Sequence, residues 1–82
     1  MTETELIQQL RQRHIKAFKT LVIDYSEDML LYAYTLIGSA NKSNDIVGRV
    51  LYRIQTDGNL EGVEPPLHLY LYGLVKDACM GL

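Results

Sequence analysis

"NDIVGRVLYRIQ", Asn44 to Gln55, is the stretch that decides the fold. Ile46, Val47, Val50, Leu51 and Ile54 recur at three- and four-residue intervals, so a helix gathers all five on one face. Gly48 falls on the opposite face, beside Asp45, Arg49 and Tyr52. A mid-helix glycine costs roughly 1 kcal/mol against alanine. It marks either a close approach on the outer side or the loss of a contact that once used a larger side chain.

Outward from this segment the helical spacing continues in both directions. Thr2-Glu3-Thr4-Glu5 matches a capping box that opens a short helix through Leu6, Ile7 and Leu10. Ile15, Phe18, Val22 and Tyr25 share a face of a longer one. Ser26-Glu27-Asp28 has the form of a fresh N-cap with acids in its first turn, which predicts a kink or restart. Met29, Ala33, Leu36 and Ile37 then carry the stripe to Gly38, a C-terminal stop. "SANKSND", residues 39–45, reads as a polar loop in which Ser43 or Asn44 caps the opening helix. "TDGNLEGVEPP", residues 56–66, is the longest break. Pro66 opens a last helix that runs to about Cys79, with Leu67, Leu71, Leu74 and Ala78 on its core face.

Four main helical patterns, with no repeat or low-complexity segment, predict one all-α domain over residues 1–82, a small helical bundle. Ile46, Val50 and Ile54 should pack against Phe18, Val22, Leu36 and Leu71, leaving Asp45, Arg49 and Tyr52 exposed. A hydrophobic share of 48% is enough for such a core.

The formal charge of −2, ten acids against eight bases, provides no global basic field for nucleic acid. The single cysteine, Cys79, has no internal disulfide partner, as expected of a reducing cytoplasm. No apolar run reaches the eighteen residues of a membrane span, and the N-terminus lacks a signal-peptide pattern. The expectation is a cytoplasmic protein without membrane contact.

Chemistry-bearing patterns are sparse. His14 and His68 are distant in sequence and Cys79 stands alone, so no metal or cofactor is expected. Asp24, Glu27 and Asp28 are acids where a helix start favours them. No Gly-rich loop leads into a Lys-Ser or Lys-Thr helix, and no serine or cysteine has a neighbouring base. An enzyme is not expected. Among the six tyrosines, Tyr70 and Tyr72 stand about 200° apart on a helix and cannot both serve one core. Aromatics beside a cation, here Lys76, are the equipment of single-strand base stacking.

The order of these pieces carries a resemblance. "KAFKTLVIDYSEDMLLYAYTLIGSANKSNDIVGRVLYRIQ", residues 16–55, followed by "PPLHLYLYGLVKDACMGL", residues 65–82, resembles region 2 of bacterial RNA polymerase sigma factors, in particular the extracytoplasmic-function group. The anchors are Ala17-Phe18, Tyr25, Tyr32-Ala33, Asp45-Ile46-Val47 and Tyr70-Leu71-Tyr72, within a likeness spanning Leu6 to Leu82. The resemblance implies a domain that grips the clamp helices of the polymerase largest subunit and recognises and melts the −10 promoter element. It assigns Asp45, Gly48, Arg49, Tyr52 and Arg53 to the polymerase core, and Tyr70, Tyr72 and Lys76 to promoter DNA. The second DNA-binding domain of such factors lies outside this chain.

Departures from that pattern fall on the same faces. The family usually has glutamine at the position of Gly48, glutamate at Arg49, phenylalanine at Leu51 and tryptophan at Gln55. Gly73 stands where arginine is frequent, and Lys76-Asp77 replaces Arg-Asn. Asp57, Glu61 and Glu64 make the preceding loop acidic, which opposes phosphate, so the isolated domain should bind promoter strands only weakly. Leu69, Gly73 and Met80 align on the outer side of the last helix, a candidate second protein interface. The alternative reading is therefore an interaction module that keeps the sigma fold without promoter binding. Such a module would bind an anti-sigma factor or associate with itself.

Overall fold

Thr2 begins the first helix, its Oγ1 accepting the Glu5 amide at 3.2 Å. The computed structural model describes residues 2–57, 60 and 62–81. Among these described residues four helices follow in order: α1 (Glu3–Arg11), α2 (Ile15–Ile37), α3 (Ala40–Asp57) and α4 (Leu67–Met80). The chain is all-α, as the apolar periodicity predicts. Helix α2 packs against each of the other three, and α3 also packs against α4. One apolar cluster joins Leu6, Ile7 and Leu10 of α1 to Ile46, Val50 and Ile54 of α3 and Leu67, Leu71 and Val75 of α4.

The 23 residues of α2 span about 34 Å at 1.5 Å per residue, close to the 33 Å long axis of the molecule. No restart occurs at Ser26, contrary to the capping signal there. Ala17, Leu21, Met29 and Ala33 are fully buried at four-residue steps, and half-buried Tyr25 fills the gap in the row. A cap contributes about 1 kcal/mol. Burying a leucine or methionine contributes about 1.5–3 kcal/mol by the usual area estimate, roughly twice as much per side chain. The burial row therefore carries the helix straight through Ser26. Each four-residue step advances the row by about 40°, so from Ala17 to Ala33 the buried face turns by about 160°. That rotation lets one helix meet three neighbours.

The rotation also corrects two expected core residues. Ile15 is 74% exposed and Leu36 is 47% exposed, whereas Phe18 and Val22 are half-buried. Ala17 and Ala33 take the fully buried positions at the two ends of the row instead; the larger apolar residues were the more visible signal.

Helix α2 stops at Gly38, whose φ of +77° is the left-handed conformation that a side chain disfavours. Its amide donates to the Tyr34 carbonyl at 2.7 Å. Ser39 follows at once, and its Oγ accepts the Lys42 amide at 3.3 Å. The polar segment 39–45 is thus the cap and first turns of α3, not a loop. Ser43 is buried inside that turn, not a cap, and its hydroxyl donates to the Ser39 carbonyl at 2.6 Å. Polar composition concealed a helix start because the serines there find local partners.

The α3–α4 connection is held from a distance. Arg11 of α1 donates from Nε to the Leu60 carbonyl at 3.0 Å and from Nη2 to the Val63 carbonyl at 2.9 Å. Glu3 accepts the Leu67 amide at 3.3 Å and the Tyr25 hydroxyl at 2.6 Å. A carboxylate thereby sits at the N-terminus of α4, which has no acid in its own first turn. Pro66 precedes this helix as its N-cap residue and does not form its first turn.

Candidate functional site

The stripe that buries Ile46, Val50 and Ile54 leaves the reverse face of α3 to solvent. Asp45, Gly48, Arg49, Tyr52 and Arg53 are all exposed there, at the three- and four-residue spacing of one helix face. With Asn44 they line an open concavity of about 590 Å³. A Cβ added at Gly48 would meet nothing within 4 Å. The glycine therefore answers to no close packing within the chain; it leaves a dip between Asp45 and Tyr52. Tyr52 is 66% exposed, an aromatic ring with solvent on most sides.

Arg53 links this face to a second one. It also lines a groove of about 390 Å³ between α3 and α4, shared with Tyr70, Leu74 and Asp77. Burial pushes the Tyr70 hydroxyl pKa upward, and the Arg53 charge works in the opposite direction. Tyr70 is half-buried and forms part of the wall of this groove.

Tyr72 goes the other way. Its ring stacks on Tyr32 of α2 with centroids 4.6 Å apart and planes 17° apart. His68, one turn earlier, meets the same ring edge-on at 5.6 Å. The structure therefore separates Tyr70 from Tyr72, as their angular spacing requires, and leaves Lys76 exposed one turn after Tyr72. One face of the Tyr72 ring is already occupied within the chain. Tyr32 and His68 belong to this aromatic cluster; the four-residue spacing of His68 and Tyr72 was the signal available for it.

The outer side of α4 carries exposed Leu69, Gly73, Lys76 and Met80, and nothing lies within 4 Å of a Cβ at Gly73. Of the loop acids, Glu64 is exposed; Glu61 and the Asp57 side chain lie outside the described residues. Burial raises the pKa of the Cys79 thiol, which disfavours the reactive thiolate. Among the described residues no group of three or more His, Cys, Asp or Glu is placed to hold a metal ion. No helix among them is long and apolar enough to cross a membrane.

In comparisons with protein-family models, curated proteins and solved structures, the chain matches none.

Proposed function

We propose that the chain is a divergent sigma factor region 2 domain that binds the clamp helices of the RNA polymerase largest subunit through the outer face of α3. The supporting observation is the division of that helix. Its apolar stripe is buried while Asp45, Gly48, Arg49, Tyr52 and Arg53 share one exposed face, the five positions at which the resemblance puts clamp contacts. An exposed aromatic between two arginines is a typical interface composition. Gly48 and Arg49 then act as a selectivity device. Where the family presents glutamine and glutamate, this face presents a dip and a positive charge, which favours a clamp with an acidic group at that place.

The promoter contact is the more modest part of the proposal. Lys76 and the solvent side of Tyr72 are its best-placed groups, with Tyr70 half-buried in the α3–α4 groove. Base stacking is worth about 1–3 kcal/mol per base, and one lysine adds little phosphate attraction. Strand binding would become measurable with polymerase supplying the phosphate contacts.

Isothermal titration against clamp-helix fragments tests the selectivity. Gly48→Gln combined with Arg49→Glu should improve binding to a typical sigma-binding clamp about tenfold or more, as expected from reversing one interfacial charge. No gain over the parent chain would remove this face as the determinant. Exposed Leu69 and Met80 beside the open Gly73 favour the second reading, a protein-docking face on α4 suited to an anti-sigma factor. Fluorescence anisotropy with single-stranded promoter oligonucleotides separates the two. Binding absent even with polymerase present favours the interaction module.

A further inference from the structure

Neither reading uses the outer face of α2, the longest helix. At 100° per residue, Lys16, Lys19, Glu27, Leu30 and Tyr34 all lie within about 40° of Ile23. Ile23 is 76% exposed, and Leu31 and Tyr34 are exposed beside half-buried Leu30. Leu31 and Tyr34 also line a groove of about 320 Å³ that reaches the start of α3. The charges on this face are segregated: two lysines before Ile23 and an acid after it, while Asp24 and Asp28 lie about 100° and 140° round the helix, off this face.

We propose that a second copy of this chain covers this face, forming an antiparallel homodimer with Ile23 on its twofold axis. In that arrangement each residue meets the one equally far beyond Ile23 on the other copy. Ile23 meets Ile23, Lys19 meets Glu27, and the aliphatic stem of Lys16 lies along Leu30 with its ammonium turned toward Glu27. A twofold contact must be self-complementary, and this face is. A parallel pairing would set lysine against lysine and acid against acid, which selects the antiparallel one. Within one chain Lys19 and Glu27 stand about 12 Å apart along the helix axis, too far to pair with each other, and a second copy brings each its complement. A single-helix face lies at the small end of specific interfaces, below about 1,200 Å², the class of weak, concentration-dependent association. The inference is independent of the polymerase reading.

Sedimentation equilibrium of the full chain over micromolar to millimolar concentration tests it. The parent chain should move from monomer to dimer across that range, less readily at high salt. Lys19→Glu alone and Glu27→Lys alone should each weaken the dimer about tenfold, since each places like charges together twice. An equal mixture of the two single variants should regain dimer. The acid introduced at position 19 of one variant then meets the base introduced at position 27 of the other, and the unchanged Glu27 and Lys19 meet each other. Ile23→Asp should remove the dimer while leaving the helical circular dichroism intact, since that side chain is exposed in the monomer. A parent chain that stays monomeric up to about 1 mM, beyond the weakest association of interest, overturns the proposal and leaves the face to a different protein. A dimer indifferent to both charge variants, or a mixture that fails to regain it, overturns it as well.

Discussion

The outer faces of α3 and α4 are both exposed, yet their side chains differ in how much the fold already asks of them. On α3, Tyr52 projects into solvent and Gly48 borders open space. On α4, Tyr72 is committed to Tyr32, and half-buried Tyr70 lines the α3–α4 groove with Arg53. A partner can meet the α3 face as it stands. A nucleic acid base seeking the covered face of Tyr72 would first have to displace Tyr32. The two faces teach that exposure alone does not measure readiness to bind.

The largest effect that could break this contrast is on α4. Tyr72→Ala should destabilise the fold by about 2 kcal/mol, from the lost stacked pair and part of the ring's burial. Urea unfolding measures it. An unchanged midpoint would mean that Tyr72 is held in reserve for a ligand.

Gly48→Ala sharpens the α3 side in the opposite direction. With open space around the position, alanine should stabilise the chain by about 1 kcal/mol through helix propensity alone. The same urea experiment reads it, and a loss of stability would reveal packing at Gly48.

A pH titration checks the support beneath α4. Burial first, then the Glu3 hydrogen bond and charge, push the Tyr25 pKa up to about 12. A raised folded-state value means the stabilisation is complete below the ordinary tyrosine range and is lost as pH rises toward 12. Allowing for solvent screening of this half-buried hydroxyl, the loss should be about 1 kcal/mol. Tyr25→Phe should flatten the stability profile across that window. An equally steep decline in the variant would assign it to other groups.

Tyr52→Ala should have the smallest effect, within about 0.5 kcal/mol of the parent in unfolding experiments. A larger loss would show that the α3 face is structural after all.

The sequence made these faces unequally legible. The stripe from Ile46 to Ile54 has one strong period, so the outer positions of α3 followed directly from it. Gly38 was readable as a stop because its conformation is a local matter. The continuity of α2 through Ser26 was not, since it depends on a burial row meeting three other helices. Glu3 at the start of α4 and Arg11 on the Leu60 and Val63 carbonyls were hidden for the same reason. Each joins residues about fifty or more positions apart, and no local spacing announces such a bond. The direction of Tyr72 likewise awaited the position of Tyr32. Local chemistry was readable; partners supplied by the tertiary fold were not.

The central claim is that α3 presents the docking face, and amide chemical-shift mapping tests it most directly. A clamp-helix fragment of the cognate polymerase largest subunit would be titrated into the isotope-labelled chain. The account predicts shifts concentrated at Asp45, Gly48, Arg49, Tyr52 and Arg53, with Leu69 and Met80 of α4 and Ile23 of α2 unaffected. Shifts centred on α4 or α2, or none at saturating fragment, would contradict it.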